Sequence, residues 1–279
     1  MTKLVRELVE PVMVAAFEGW NDAGEAASLA VEHLSREWGA HELCALTPDD
    51  YYDFQVTRPR MSVMDGVVGD IQWPTTHVRV ARPPGSERDV VLVTGPEPNI
   101  RWRSYTADLL SIARELGVRR VVMLGSLLAD APHTRPIPVS GMASPVELGT
   151  DLGLERTSYS GPTGIVGVAH ETFSSVGMET VSLWAAIPHY VAQPPCPKAT
   201  LALLAWLEDF LGVRMPLGSL PDEAVSWEAN VNELTAEDED IAAYVRGLEE
   251  AKDTAELPEA SGDAIARDFE RYLRRHDEG

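Results

Sequence analysis

The sequence has few cysteines and no long apolar run. Cys44 and Cys196 are the only cysteines among 279 residues, too few and too far apart for a disulfide framework or a cysteine zinc site, so we expect a reducing cytoplasm. No stretch approaches the ~20 apolar residues that a transmembrane helix needs. Lys3, Arg6 and Glu7 interrupt any apolar core of a signal peptide. Secretion and membrane insertion are therefore not expected.

Positive charge is also scarce. The formal net charge is -21, and the basic residues are 20 arginines and only 3 lysines. An acidic protein repels nucleic-acid phosphates and anionic lipid unless a local basic patch overcomes the repulsion, and the sequence shows no such patch. We therefore expect neither nucleic acid nor membrane as a partner. The 44% of apolar residues is enough for a substantial core.

Apolar runs alternate with helical patterns along most of the chain. Buried strands are indicated by four runs, Glu10–Phe17, Asp89–Thr94, Arg119–Leu124 and Thr180–Ile187. Helical spacing follows them, for example over residues 102–116 and 199–211. This alternation predicts an α/β fold, a three-layer α/β/α sandwich with a largely parallel sheet. Proline and glycine punctuate residues 49–88, which predicts an antiparallel insertion or edge, and residues 138–156 are interpreted as a loop with a short helix.

A change in composition near Gly218–Pro221 divides the chain. Residues 222–279 contain 18 acidic and 6 basic residues, a net charge of -12, which leaves -9 for everything before them. We therefore expect an α/β sandwich domain over residues 1–218 and an acidic helical hairpin extension over residues 219–279.

The extension carries a seam of apolar residues. Its predicted interaction positions are Trp227, Val231, Leu234, Ile241, Val245 and Leu248. Asp238 interrupts this spacing, and Pro258 separates a second amphipathic segment that contains Ile265, Phe269, Tyr272 and Leu273. We expect the hairpin to pack on the body of the protein or on a partner chain.

Polar residues are concentrated where the predicted strands end. Ligands of open α/β sheets bind at the carboxyl ends of the strands. The candidate ligand-binding cleft therefore consists of Glu18, Asn21, Asp22, Glu97, Arg101, Ser126, Asp130, His133 and Arg135. We expect Asp130, His133 and Arg135 to build and brace a loop at the mouth of this cleft, and to bind a ligand only secondarily. Asp22 and Glu25 have the spacing of a helix capping box, and Arg135 is expected to pair with a carboxylate.

Three kinds of chemistry are open for this cleft. Ser126 as nucleophile, His133 as base and Asp130 as orienter would make a hydrolase, although the G-x-S-x-G elbow is missing. Three glycine turns before helices, at 19–24, 95–103 and 161–167, would suit a phosphate-type anion, although none carries a full nucleotide fingerprint.

A metal site is the third alternative. Its ligands would come from Asp130, His133, His170, Glu171 and His189, none of which has H-E-x-x-H spacing. We expect no metal, no cofactor and no complete catalytic set.

Four separated motifs resemble a known family. They are Phe17–Gly24, Leu124–Val139, Tyr159–Ile165 and Leu183–Tyr190. Together they resemble the proteasome assembly chaperone 2 family, in its bacterial, actinobacterial-type branch. The resemblance implies a three-layer sandwich like that of nucleoside phosphorylases. Eukaryotic members pair with a second chaperone and scaffold the α-subunit ring of the proteasome core particle, and some relatives dock through a hydrophobic-Tyr-any-residue tail.

The resemblance leads to one functional hypothesis and one alternative. The hypothesis is a non-enzymatic homo-oligomer whose candidate partners are proteasome α-subunits. The final residues Arg275–Gly279 lack the docking tail, so that route to the proteasome is not expected. The alternative is a protein that binds a nucleoside or phosphate-type anion, or a hydrolase, with its site in the strand-end cleft.

Overall fold

The structure, a computed structural model, describes residues 7–64, 67–154, 159–191 and 193–256. The strands in these ranges are β1 (Val12–Glu18), β2 (His41–Ala45), β3 (Val63–Met64), β4 (Val67–Val68), β5 (His77–Ala81), β6 (Val90–Pro96), β7 (Arg120–Ala129), β8 (Val139–Ser144) and β9 (Glu179–Pro188). The helices are α1 (Ala26–Glu37), α2 (Pro48–Tyr51), α3 (Trp102–Glu115), α4 (Val146–Asp151), α5 (Ile165–Ser174), α6 (Pro197–Leu211), α7 (Leu220–Ala236) and α8 (Glu239–Glu256), and a 3-10 turn at Ala23–Glu25 precedes α1.

Seven strands form one central sheet in the order β2-β5-β6-β1-β7-β9-β8. The four strands β6, β1, β7 and β9 run parallel to one another. Strand β5 is antiparallel to β6, β2 is antiparallel to β5, and β8 is antiparallel to β9. The predicted α/β fold with a largely parallel sheet is confirmed.

The sheet is covered on both faces. Residues 12 to 17 of β1 are all buried, because successive side chains of a strand point to opposite faces and both faces are occupied. Val12, Val14 and Ala16 join the core beneath α1 and α6. Met13, Ala15 and Phe17 join the core beneath α3 and α5. The molecule therefore has three layers, as predicted.

Residues 49–88 form the antiparallel insertion that the sequence predicts. They include β5 and a separate two-stranded sheet of β3 and β4. The interpretation of residues 138–156 as a loop with a short helix is wrong in one respect, since they also contain the edge strand β8. A Cβ on Gly141 would lie 2.6 Å from the carbonyl oxygen of Ser182 on β9. Glycine is needed there for a close backbone approach, although it weakens the strand pattern in the sequence.

The described part of the acidic extension, residues 219–256, packs within the same chain. Helix α7 lies against α6. The carboxylate of Asp238 accepts the N–H groups of Asp240 (2.9 Å) and Ile241 (3.2 Å), so this residue interrupts the apolar spacing because it caps α8. The two described helices are therefore joined at Glu237–Asp238 rather than at Pro258. The second predicted segment, with Ile265, Phe269, Tyr272 and Leu273, lies outside the described residues.

The seam positions differ in burial. Val231 and Val245 are buried, and Trp227, Ile241 and Leu248 are half-buried. Leu234, two residues before the end of α7, is 65% exposed. The seam is thus divided between two helices rather than continuous along one.

Candidate functional site

The loop after β1 is bonded to β7 at the carboxyl end of the sheet. The N–H of Ser126 donates to the carbonyl of Asn21 at 2.8 Å, which continues the strand ladder past the end of β1 as a bridge between Asp22 and Ser126. The N–H of Glu97, just after β6, donates to the carbonyl of Glu18 at 2.9 Å. Glu18, Asn21, Asp22, Glu97 and Ser126 are therefore brought together, as the sequence predicts.

The buried carboxylate of Asp22 caps α1. It accepts the N–H of Ala27 at 2.8 Å and both the N–H and the hydroxyl of Ser28, the hydroxyl at 2.5 Å. Burial raises the pKa of Asp22, and these donors oppose the increase. The predicted partner in a capping box, Glu25, instead adopts a left-handed φ of 53° and is exposed. The capping role of Asp22 is confirmed, and the box is wrong.

A second carboxylate caps α5. Glu97 Oε1 accepts the N–H of Ile165 at 2.8 Å and Asn21 Nδ2–H at 2.7 Å. Asn21 is fully buried, and its Oδ1 atom has no hydrogen-bond partner among the described residues. A Cβ on Gly164 would lie 2.2 Å from that oxygen. Glycine is therefore required at this position for close approach, not for a left-handed turn.

These two carboxylates occupy the positions that a bound anion would take. The first N–H groups of a helix and its dipole favour negative charge. At α1 this charge is Asp22, and at α5 it is Glu97. A phosphate at either helix would be repelled by the carboxylate already bonded there. The glycine turns at 19–24 and 161–167 thus provide internal helix caps.

Two residues of the predicted cleft, Arg101 and Glu18, have charged neighbours outside the group described above. Arg101 has a left-handed φ of 57° and pairs with Asp50 of α2 at 3.2 Å. At β1, loss of hydration and the charge of Glu32 raise the pKa of Glu18, whereas Arg60 lowers it. Glu18 itself remains largely exposed to solvent.

His133 is buried in the structure and joins the body to α7. The hydroxyl of Tyr190 accepts the backbone N–H of His133 at 2.8 Å and also lies 2.8 Å from the ring Nδ1. Nε2 lies 3.1 Å from Oδ1 of Asn232, which can only accept, so in the neutral ring Nε2–H donates to Asn232 and Nδ1 accepts the hydroxyl of Tyr190. Burial lowers the pKa of His133. The neutral imidazole of His133 is hydrogen-bonded through both ring nitrogens, so it is a structural link between the body of the protein and α7.

No Ser-His-Asp relay forms. The Ser126 hydroxyl donates to the carbonyl of Ala23 at 2.7 Å, and both ring nitrogens of His133 are bonded to other residues. Asp130 accepts the hydroxyl of Tyr244 at 2.9 Å and lies 3.2 Å from Nδ1 of His189. The hydrolase alternative is therefore not supported by the geometry.

Residues 130–135 contact α7 and α8, and we call them the docking loop. Arg135 makes a two-pronged contact with Asp253 of α8, Nε to Oδ1 and Nη2 to Oδ2, both at 2.8 Å. The Thr134 hydroxyl donates to Glu249. The predicted pairing of Arg135 with a carboxylate is confirmed. Asp130, His133 and Arg135, which the sequence predicts to brace a loop, brace it against α7 and α8.

The five residues considered for a metal do not converge. His170 is bonded through Nδ1 to the hydroxyl of Ser182 at 2.7 Å, and burial lowers its pKa. In the described part of the chain, no three His, Cys, Asp or Glu side chains are grouped where they could hold a metal ion.

Across the same residues, no helix combines the length and apolarity needed to cross a bilayer.

Comparison with known proteins identifies the family. A model of the PAC2 family matches residues 16–235. The chain belongs to the PAC2 family. A PAC2 family protein from Streptomyces avermitilis is 57% identical, with a TM-score of 0.79 over 84% of this chain and 99% of that chain. The resemblance to the actinobacterial branch is confirmed.

Two further solved structures are informative. A proteasome-assembly chaperone homologue from Mycobacterium tuberculosis is 51% identical, with a TM-score of 0.79 over 84% of this chain and 99% of that chain. An archaeal proteasome activator from Pyrococcus furiosus is 18% identical, with a TM-score of 0.66 over 82% of this chain and 95% of that chain, and supports the fold alone. Among proteins with curated descriptions, none matches this sequence.

The four motifs that carry the PAC2 resemblance meet in space. Asn21, Ser126 and Gly164 come from the first three motifs, and Asn21 contacts both of the others at the carboxyl end of the sheet. Tyr190, from the fourth motif, bonds His133 of the second. In this PAC2 protein the motif residues thus cap helices and join loops.

An open cavity lies at the other end of the PAC2 sheet. It has a volume of about 1220 Å³ and is bordered by residues at the amino ends of the strands, including Val12, Val118 and Glu179. Two arginines at its border are paired, Arg88 with Glu10 and Arg120 with Glu179. No sequence pattern predicts this location.

Sequence reasoning also missed the residues that bind the docking loop. Lys198 on α6 donates to the carbonyl of His133 at 2.5 Å and to Glu228 of α7. Glu249 and Asp253, which bind Thr134 and Arg135, are four residues apart and so lie on one face of α8. That spacing was a usable signal, but the acidic residues around it concealed which pair makes contact.

Proposed function

We propose that this PAC2 family protein is a non-enzymatic, self-associating cytoplasmic protein that binds α-subunits of the proteasome core particle and assists their assembly. The relative from Mycobacterium tuberculosis, 51% identical, is a proteasome-assembly chaperone homologue. The distant Pyrococcus furiosus neighbour is a proteasome activator. Both names associate this fold with the proteasome in the proteins that carry them.

The observation that carries the proposal is the use of the strand-end polar groups. Asp22 and Glu97 are bonded to the backbone N–H groups of α1 and α5. Both ring nitrogens of His133 are engaged as well. Because these side chains already stabilise the fold, we infer that the protein acts through its outer surface. This favours a protein that binds other proteins over one that acts on a small molecule.

The proposal is tested with α-subunits of the source organism's own proteasome. The purified protein is immobilised and challenged with isolated α-subunits, and the yield of assembled core particle is measured with and without it. We expect capture of α-subunits and a change in yield. If neither occurs at micromolar concentrations, the proteasome part of the proposal is wrong.

The alternative, an anion-binding protein or hydrolase, has less support. A phosphate-type ligand at the predicted cleft would have to displace Asp22 or Glu97 from a helix N-terminus. A ligand screen, described in the Discussion, separates this alternative from the proposal.

A further inference from the structure

A histidine lies between two serines at the edge of the sheet. His170 of α5 has its Nδ1 2.7 Å from the hydroxyl of Ser182 on β9. Its Nε2 is 3.4 Å from the hydroxyl of Ser144, the last residue of β8. None of the three belongs to the strand-end cluster or to the docking loop. A hydroxyl, an imidazole and a third polar group that orients the ring are the parts of an activated nucleophile, and the contact between nucleophile and base is often longer when no substrate is bound.

Regular elements hold all three side chains. Across β8 and β9, Met142 is opposite Ser182, and Ser144 is opposite Thr180. Because side chains alternate between the two faces of a strand, Ser144, Met142 and Ser182 share one face of the sheet. The contacts of His170 show that this is the face beneath α5. The positions of the nucleophile and the base are therefore set by the sheet and a helix rather than by a loop.

The three side chains differ in their access to solvent. Ser182 and His170 are buried, whereas Ser144 is half-buried. Two apolar neighbours of Ser144 are exposed, Met142 by 38% and Val146 by 55%. The base is thus shielded from water, and the nucleophile lies at the surface beside apolar side chains that suit the carbon chain of an acyl group.

His170 is uncharged at neutral pH. Burial lowers its pKa, and no charged side chain among the described residues contributes to the shift. A neutral imidazole donates from one ring nitrogen and accepts at the other. When Nδ1–H donates to Ser182, the lone pair of Nε2 faces the hydroxyl of Ser144. A general base needs this tautomer.

We propose that Ser144 is a covalent acylation site, with His170 as its general base and Ser182 as the positioning residue of that base. The reagent is an activated acyl donor, a thioester or an activated ester. Oγ of Ser144 attacks the carbonyl carbon while Nε2 of His170 takes the hydroxyl proton. The bond from that carbon to the leaving thiolate or alkoxide breaks, and the leaving group takes the proton from Nε2. The products are an ester on Ser144 and a free thiol or alcohol.

This inference goes beyond the proposed function and does not depend on it. Transfer of one acyl group to the protein's own serine is not turnover of a substrate, so it is compatible with a non-enzymatic protein. Ser144 is opposite Thr180, the second residue of β9, whereas the docking loop lies at the other end of that strand. Acylation therefore leaves the docking loop untouched.

The test uses p-nitrophenyl acetate and the full-length protein. Release of p-nitrophenol gives the rate between pH 5 and pH 8, and peptide mass spectrometry locates the acetyl group. Ser140→Ala is the matched control, because Ser140 is an exposed serine on the same strand and face and has no contact with a histidine among the described residues. Melting curves confirm that each variant is folded.

We expect acetylation of Ser144 in the wild type and in the control. Ser144→Ala should lose it, and His170→Gln should slow it by about tenfold or more, since general bases contribute about 10²–10⁴-fold. The rate in the wild type should fall only below about pH 6.5, the usual pKa of histidine, because burial keeps His170 unprotonated. Ser182→Ala should slow acetylation, and Ser182→Thr, which keeps the hydroxyl, should restore it.

The contrary results are equally definite. Acetylation of Ser140 as fast as that of Ser144 would show ordinary surface reactivity and overturn the inference, as would an unchanged rate in folded His170→Gln. If that variant does not fold, the wild type decides, because an unmodified Ser144, or a rate that protonation of a histidine does not lower, also overturns it. These measurements involve no α-subunit, so their failure leaves the proposed function standing, and failure of α-subunit capture leaves this inference standing.

Discussion

Gly164 lies directly against Asn21, so close that a Cβ at this glycine would be 2.2 Å from the amide oxygen of Asn21. Asn21 in turn donates to Glu97, which caps α5. A single added methyl group would therefore displace the side chain that links β1, β6 and α5. This contact connects two of the PAC2 motifs and makes the strand-end network testable.

Gly164→Ala should destabilise the protein, because overpacking a buried site costs about 1–3 kcal/mol. The free energy of unfolding is measured by urea denaturation. Gly247→Ala is the matched control, since nothing lies within 4 Å of a Cβ at that glycine on α8 and alanine is the better helix former. The control should be neutral or stabilising. Equal unfolding of Gly164→Ala and wild type would contradict the close approach.

Asp22→Ala should lower stability by about 1–2 kcal/mol, because it leaves the N–H groups of Ala27 and Ser28 uncapped. Asp49→Ala, on the exposed short helix α2, serves as a control for the loss of an acidic residue. Thermal unfolding of the two variants is compared with that of the wild type. A loss at Asp22 no larger than at Asp49 would mean that the cap does not stabilise α1.

The contribution of His133 and His170 to stability should decrease when the pH falls below about 6.5, the unperturbed pKa of histidine. Burial lowers the pKa of both His133 and His170 in the folded state, so the unfolded chain binds protons first. The loss begins near the unfolded pKa and ends once the pH is below the folded pKa. Each histidine contributes a slope of at most about 1.4 kcal/mol per pH unit.

The change in the free energy of unfolding with pH is measured by urea unfolding between pH 7 and pH 5. His133→Gln should reduce it, His170→Gln should reduce it separately, and the double variant should reduce it further. An unchanged slope in His133→Gln would show that this imidazole protonates as readily in the folded protein as in the unfolded chain.

Arg135→Met should loosen α8 without unfolding the body. The two-pronged bond to Asp253 is partly exposed, and exposed pairs contribute only about 0–1 kcal/mol. Hydrogen exchange should therefore become faster in α8 while the main melting transition moves little. Arg135→Lys keeps the charge but not the planar geometry and should give an intermediate result. Unchanged exchange in α8 would exclude a docking role for Arg135.

A screen of phosphate, nucleosides and nucleotides should leave the melting curve flat, because carboxylates already occupy the N-termini of α1 and α5. A ligand present at 100 times its Kd would stabilise the protein by about 2.7 kcal/mol, an easily detected shift. Stabilisation by an anion that increases in Glu97→Gln, where the repelling carboxylate is gone, would favour the anion-binding alternative over the proposed function.

Some features of the fold and of the candidate site could be predicted from the sequence and others could not, and the difference has physical reasons. The central strands were predictable because β1, β6, β7 and β9 are apolar on both faces. Strand β8 was missed because Gly141, needed for contact with Ser182, interrupts its pattern. Half of the strand-end cluster was placed correctly, since parallel strands end at one edge. Arg101 and Arg135 were misplaced because long side chains pair with whichever carboxylate the fold brings near.

The amino-acid sequence by itself determined the order of strands and helices, the layered α/β architecture and the family, because these depend on local periodicity and on motifs within short segments. Only the tertiary structure decided what the polar residues do. His133 is linked to Asn232, which is 99 positions away along the chain, and Glu97 caps α5 at Ile165, which is 68 positions away. Both residues have these roles because folding brings distant parts of the chain into contact. Chemical roles depend on neighbours in space, and packing of the whole chain supplies those neighbours.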